Sequence, residues 1–525
     1  MGFQVSPGVN VSEIDLTTIV PAVSTTNGGF AGQFVWGPVG VRVLVDSEVT
    51  LVSRFGKPDS NTFTSFWTAA NFLAYGNNLR ISRATNANSF NATANNQAAL
   101  QIKNEEKYSE LYANGAGNFG AWSARYPGEL GNALTVSSCP SRNAFAMNIT
   151  SGLGITASVV VRGQTYVGTS ATTANFVAPG DLVKVGNNPY INVSSVTSTN
   201  IVFERALTAN VDAGGVINRK WFYASNFDSY PRTSAYVSNL KGANDEIHII
   251  VVDRTGAITG VPNTIVEKYP FLSKARDAKT PDGSTNYYPT VIFNKSRWIY
   301  WGGHAAGANW GNSAINTSFT YVETPNTYAL GGGTTVAATD ADTIVAFDYF
   351  KDADSVDVSL MPFGDASPTV VSYVIDNILE SRKDCVGFFS PARANVVNNA
   401  GFEADACVAY VAGLSETSYA CVDSGWKYQY DKYADAYRYV PLNGDMAGLC
   451  VRTDTTRDPW FSPAGFNRGQ VKNVVRLAWN PNKAERDTLY QAGINPVMTF
   501  PGEGTILYGD KTMQSKPSAF DRINV

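Results

Sequence analysis

Only two histidines, His248 and His304, are available for acid–base or metal chemistry in 525 residues. His248 falls inside an alternating apolar stretch, Glu246–Val252, that reads as a strand, so packing or a surface position accounts for it better than catalysis. His304 follows Trp301-Gly302-Gly303 in a Gly-rich loop, and neither histidine is accompanied by a GxSxG elbow or an HExxH helix. Gly504-Thr505-Ile506-Leu507-Tyr508-Gly509-Asp510-Lys511-Thr512 stands one residue away from a phosphate-cradling GxxxxGK[ST]. Asp510 puts a carboxylate where such a loop must offer N–H groups, Thr505–Tyr508 reads as a strand, and no helical pattern follows to aim a dipole at an anion. Asp348, Asp352, Asp354 and Asp357 cluster without the glycine and terminal glutamate of a calcium loop, and read as a solvated turn before a strand at Val356. With 44 acidic residues, carboxylate pairs for glycoside hydrolysis exist by number alone, and nothing singles one out. The five cysteines, Cys139, Cys385, Cys407, Cys421 and Cys450, are widely spaced without CxxC pairs and read as buried free thiols. The expectation is no catalytic, cofactor-binding or metal residue, no cofactor, and no enzyme.

The composition is that of a folded, strand-rich and aromatic-rich protein: 44% hydrophobic, 16% charged, with 46 glycines, 26 tyrosines and 27 phenylalanines. At about 150 residues per domain, three or four domains are expected. The formal net charge is −4 and no dense Lys/Arg block occurs, which argues against a nucleic-acid partner. No run of about 18 apolar residues is present, and the first residues lack the basic and apolar regions of a signal peptide, so no membrane insertion and a cytosolic origin are expected.

Residues 1–20 carry the turn Pro7-Gly8 and then alternate through Val9, Val11, Ile14 and Leu16, an extended arm that is either a first edge strand or a strand lent to a neighbouring subunit. Phe63, Phe66, Trp67, Ala70, Leu73 and Ala74 have helical spacing before Gly76, and Leu79–Ser82 reads as the strand that follows. Residues 86–120 read as loop with one short helix. Short β runs at Ala157–Val161, Leu182–Val185, Tyr190–Val196 and Ile201–Phe203 mark an inserted β domain. A strand at Glu246–Val252 and a helix at Ile265–Ala275 then return to α/β alternation. The clearest βαβ unit has strands Val356–Leu360 and Cys385–Phe389. Between them runs a helix capped by Ser367, with Pro368 in its first turn, that buries Val371, Val374, Ile375, Ile378 and Leu379. Asn482 and Glu485 have capping-box spacing before a helix through Leu489 that Gly493 ends. The expected fold is α/β and β multidomain with nested insertions. It comprises an arm (1–20), a discontinuous α/β core (21–85 and 346–510), a middle α/β domain (86–149 and 218–345), a peripheral β-barrel-like insert (150–217) and the start of a C-terminal region (511–525).

The last quarter contains Gly425-Trp426-Lys427-Tyr428-Gln429-Tyr430-Asp431-Lys432-Tyr433, Arg438-Tyr439-Val440-Pro441-Leu442-Asn443-Gly444-Asp445-Met446-Ala447-Gly448-Leu449-Cys450, Trp460-Phe461-Ser462-Pro463-Ala464-Gly465-Phe466-Asn467-Arg468-Gly469, Glu485-Arg486-Asp487 through Gly493-Ile494-Asn495-Pro496, Tyr508-Gly509-Asp510-Lys511-Thr512 and Ser518-Ala519-Phe520-Asp521-Arg522-Ile523-Asn524-Val525. With Ser6-Pro7-Gly8-Val9, Ala31–Pro38, Asn71–Asn77 and Tyr126–Asn132, these stretches in this order resemble the tail sheath proteins of T-even-like contractile-tailed bacteriophages. Trp426, Tyr428, Tyr430, Asp431, Tyr433, Arg468, Asp510 and Lys511 are the motif positions. The resemblance implies a structural subunit that forms hexameric rings stacked helically around a tail tube protein and that meets a baseplate and a tail terminator. It also implies assembly in host cytoplasm, a place in the virion tail, and contraction that drives the tube through the host envelope without nucleotide. Two features depart from the family. The β-rich insert follows the Tyr126–Asn132 motif instead of preceding it, and the sequence stops at Val525 where the family continues into a tube-facing domain and arm, so that part is expected to be missing. If assembly needs both arms exchanged, such a chain is expected to stay monomeric at micromolar concentration. The alternative is a receptor- or glycan-binding phage structural protein, suggested by 12% aromatics and an exposed-looking loop from Trp301 to Trp310, although packing in a core or interface is the better account of those tryptophans.

Overall fold

The computed structural model describes residues 26–96, 99–115, 117–170, 176–305 and 309–523; the expected arm with Val9, Val11, Ile14 and Leu16 lies outside them. The chain builds a seven-stranded central sheet in the order Arg42–Val45, Leu79–Ala84, Gly28–Gln33, Leu360–Pro362, Val386–Phe389, Ala420–Asp423, Ile494–Asn495. Its pairings are parallel except at the Arg42–Val45 edge, which runs antiparallel to Leu79–Ala84. Successive residues point to opposite faces: Phe30, Leu360, Phe388 and Cys421 enter one core, and Ala31, Met361, Phe389 and Val422 the other. A sheet covered on both sides explains why its strands read as apolar runs.

The helix predicted after Ser367 forms as Pro368–Val374 and continues through Arg382, with Ser367 accepting from the Val370 N–H. Val371, Val374, Ile375, Ile378 and Leu379 are all fully buried. Its leading strand begins at Leu360 instead of Val356, because the neighbouring strand starts at Gly28 and pairs there with Leu360. Val356 and Val358 are buried without joining the ladder. On the opposite face the helices Phe63–Leu73 and Asn443–Thr456 touch. A Cβ on Gly444 would fall 2.3 Å from the Thr68 carbonyl oxygen, and one on Gly448 would fall 2.4 Å from the Tyr75 ring. Only glycine permits this approach.

The middle of the chain departs from α/β alternation. Its sheet is antiparallel, in the order Thr264–Ser273, Glu246–Asp253, Leu134–Cys139, Asn326–Ala329. The expected helix at Ile265–Ala275 is thus an edge strand. Its β-branched start and Pro270, which would break a helix interior, suit an edge, and pairing with Glu246–Asp253 satisfies its backbone. Arg83, buried at the end of its strand, donates to the carbonyls of Phe34, Gly37 and Pro127 at 3.0, 2.8 and 2.9 Å, tying two of the motif stretches to the central sheet.

A six-stranded antiparallel sheet occupies Ala146–Lys220, in the order Ala146–Asn148, Ile217–Lys220, Leu182–Val185, Ile191–Val196, Asn200–Phe203, Tyr166–Gly168. Its entering and leaving strands pair with each other, and it has its own core of Val167, Val183, Val185, Ile191, Ile201 and Phe203. The run Ala157–Val161 is no strand; it makes single bridges from Ala157 to Thr169 and Gly215 and from Val160 to Val211, while Val159 and Val161 face solvent.

Candidate functional site

Five of the eight motif positions lie on one hairpin, Trp426–Asp431 with Ala436–Pro441, whose first strand becomes central by pairing also with Arg476–Leu477. Alternation sorts its side chains. Tyr428, Tyr430, Tyr437 and Tyr439 share the outer face, with Tyr430 46% and Tyr437 53% exposed. The rings of Tyr428 and Tyr439 lie 4.6 Å apart, and the Arg476 guanidinium sits 4.6 Å over Tyr428. A flat face of tyrosine and arginine is rich in the residue types that carry protein–protein contacts. Trp426 is buried, its Nε1 donating to the Pro391 carbonyl at 2.8 Å. Asp431 accepts from Arg438 Nε at 2.8 Å and from the Tyr433 N–H at 3.0 Å, which holds the turn. The Tyr433 hydroxyl reaches Glu48 Oε1 at 2.7 Å and its ring packs 5.4 Å from Phe66.

The inner face carries a polar network that the motif positions do not include. Lys427, fully buried, donates to Asp445 Oδ1 at 3.0 Å and to the Lys472 carbonyl at 2.9 Å, and makes a 2.8 Å charge contact with Asp445 Oδ2. Tyr75 donates to the same carboxylate at 3.2 Å and accepts from the Lys472 N–H at 2.7 Å. Burial acts against charge on both partners, pushing the Lys427 ammonium down and the Asp445 carboxyl up, while each opposes the shift in the other. Nearby, Asp423 accepts from the Ser390 hydroxyl and the Gly425 N–H, both at 2.8 Å, and burial pushes it up to about 8. Asn443 exchanges two hydrogen bonds with the Gly364 backbone and donates to Ser390. The alternation of Tyr428 and Tyr430 outward already places Lys427, Gln429 and Asp431 inward, which is the sequence signal for this network.

The remaining positions are apart from the hairpin. Arg468 donates from Nε to the Ser462 carbonyl at 2.6 Å and lies 5.4 Å over Phe461. Asp510 pairs with Arg522 at 2.6 Å, and the Lys511 ammonium donates to the Tyr490 carbonyl at 2.8 Å while lying 4.2 Å over that ring. Gly504–Leu507 is a strand paired with Val497–Phe500. Both charged groups of the near phosphate loop are therefore engaged within the protein. Around them, Trp460, Phe466, Tyr508 and Phe520 are exposed, Trp460 and Phe520 by 68% and 70%.

The other chemical candidates are distributed. His248 is buried, its Nδ1 accepting from the Phe271 N–H at 3.0 Å and its Nε2 bonding to the Ser229 carbonyl at 2.8 Å, and burial lowers it to about 4. The cysteines are all free and buried. Asp348 accepts from the Tyr373 hydroxyl and Asp357 from the Asn27 amide, and no His/Cys/Asp/Glu cluster among the described residues could hold a metal ion. Trp301 and Trp310, on the exposed-looking loop that suggested the glycan-binding alternative, are both buried, in line with the packing reading: Ile299–Trp301 is a strand paired with Trp122–Ala124, which turns the Trp301 ring into the middle core.

The family model for the phage tail sheath protein central domain matches residues 336–513. The tail sheath protein of Vibrio phage KVP40 is 32% identical over 596 aligned positions that span 99% of this chain and 84% of the relative. That of Enterobacteria phage T4 is 33% identical, spanning 99% of this chain and 83% of the relative. Among solved structures, a sheath tail protein from Listeria innocua aligns over 95% of this chain and 72% of its own with a TM-score of 0.46 at 9% identity.

Proposed function

The chain belongs to the phage tail sheath protein family, and from that premise we propose that it is a structural subunit of a contractile tail, polymerising around the tail tube and shortening to drive it. The observation that carries this reading is sequence similarity running from end to end of the chain, not one shared motif. The role needs no catalysis: the energy comes from better contacts between nearly rigid subunits, released at the baseplate. Its partners are then further copies in stacked hexameric rings, the tube protein, the baseplate and the terminator. The arm with Val9, Val11, Ile14 and Leu16 is the proposed inter-subunit strand. The exposed Tyr428–Tyr430 face and the aromatics from Trp460 to Phe520 are proposed as contact surface, a use supported by their exposure beside rigidly held motif residues. Antibodies raised against this chain and tagged with gold should decorate phage tails along their whole length in electron micrographs. Label restricted to the tail tip would reject the reading in favour of a receptor-binding protein.

The same role suits a division into a core of 21–85 with 346–510, a middle domain of 86–149 with 218–345, and an outer β insert of 150–217. Central-sheet strands drawn from both core pieces support the first, and the bridges of Ala157 to Thr169 and Gly215 support a barrel-like closure of the insert. Deleting 150–217 and rejoining the flanks should leave soluble protein with a cooperative melt, because the insert has its own core. Loss of soluble protein on deletion would show that the insert completes a neighbouring core.

A further inference from the structure

In the middle domain, away from the hairpin, a cavity of about 340 Å³ opens beside His304. That volume lies at the small end of the range typical of small-molecule sites. Its lining mixes rings, among them Tyr287, Phe293 and Trp310, with the polar side chains of Thr290 and Asn312, and contains no Asp, Glu, Lys or Arg.

The polar atom that faces this space has a defined proton. Trp301 Nε1 donates to the Tyr288 oxygen at 3.0 Å, and the Tyr288 hydroxyl lies 2.6 Å from His304 Nδ1. Tyr288 is buried and has one proton to give, so it serves Nδ1, its one acceptor among the described residues. Burial lowers the His304 pKa, which keeps the ring neutral, and its proton then resides on Nε2. No protein acceptor meets Nε2 among the described residues. The space before it is kept open by Gly311: a Cβ there would fall 2.8 Å from Nε2, and its φ of +88° suits glycine.

A single oriented donor, aromatic walls and uncharged polar groups at the rim match a neutral, polyhydroxylated ring, and no charged side chain in the lining is there to pair with a charged one. We propose that this cavity binds one neutral hexopyranose residue, with His304 Nε2 donating to a sugar hydroxyl or ring oxygen. The site would add glycan contact to a structural protein, and it stands or falls independently of the tail assignment.

Ligand-observed saturation-transfer NMR on the 525-residue protein tests this with methyl β-glucopyranoside, methyl α-mannopyranoside and N-acetylglucosamine as probes and glucuronate as the charged control. At least one neutral sugar should receive saturation with a millimolar dissociation constant, and glucuronate should receive none. His304→Ala should weaken binding about fivefold, the loss of one hydrogen bond. Asn312→Trp, which changes only the exposed rim, should abolish binding while the thermal melt stays at its wild-type midpoint. Absence of transfer to all three neutral sugars at tens of millimolar overturns the proposal, as does equal binding of glucuronate or binding unchanged in both variants.

Discussion

Replacing Lys427 by methionine should destabilise the central domain by about 3–5 kcal/mol, and the double replacement Lys427→Met with Asp445→Leu should recover most of that loss. Both partners are buried, and among the described residues Lys427 is the one cation in ion-pair contact with Asp445, Lys472 acting on it only at longer range. Removing the ammonium leaves a carboxylate held only by the Tyr75 hydroxyl, and leaves the Lys472 carbonyl without the donor it has now. Removing both charges replaces an ion pair by packing surface between Phe63–Leu73 and Asn443–Thr456, where Met446, Leu449 and Val451 already form an apolar core. The measurement is hydrogen exchange of the central-sheet amides, which isolates this domain in a multidomain chain where a single melting midpoint does not. Equal protection in the single variant and the wild type would mean that water reaches the pair and solvates it.

How far such features were legible depends on whether their cause was local. The helix after Ser367 was readable in cap, first-turn proline and buried face because all three are set within 15 residues of chain. Where its leading strand starts was not, because that is set by Gly28, more than 300 residues earlier. The 265–275 stretch failed for a related reason. Ile265, Tyr269 and Leu272 have spacing that a helix also uses, and what decides for a strand is the partner Glu246–Asp253, with Pro270 as the local warning. Ala146–Asn148 has no strand-like composition at all and pairs only because Ile217–Lys220 returns beside it. In the hairpin the motif positions stood out by type, yet only the outward tyrosines and the turn-holding Asp431 follow from alternation. That Lys427 meets Asp445 required knowing that the helix from Asn443 crosses behind the sheet. The loop from Trp301 to Trp310 looked exposed because it is rich in glycine, yet packing was the better account of its tryptophans, and Trp301 does end a strand that pairs with Trp122.

Between pH 6 and pH 8 the wild-type central domain should lose stability relative to an Asp423→Asn variant, which should show a markedly flatter profile. Asp423 is fully buried, and burial raises its pKa to about 8, against the pull of hydrogen bonds from Gly425 and Ser390 and with some help from the nearby Asp445 carboxylate. An unfolded aspartate titrates near 3.9. Between about 4 and about 8 the folded chain therefore holds a proton that the unfolded chain has released, so stability is greatest below that window and falls as pH rises through it. The limiting slope is about 1.4 kcal/mol per pH unit. Asp181 and Asp365, each raised to about 6, act in the same direction only in the lower part of the window. His248, lowered to about 4, acts oppositely below the ordinary histidine range, and Lys274, lowered to about 7, acts oppositely above neutrality. Subtracting the variant's profile from that of the wild type cancels all four. Asparagine keeps an oxygen for the Gly425 N–H but loses the acceptor for the Ser390 hydroxyl, a cost that does not vary with pH, so it removes the titration and leaves a constant offset between the profiles. Hydrogen exchange of the central-sheet amides in both proteins at pH 6, 7 and 8, corrected for the intrinsic exchange rate at each pH, gives the result for this domain: parallel curves would place the Asp423 pKa in the ordinary carboxylate range and would mean that its site is open to water.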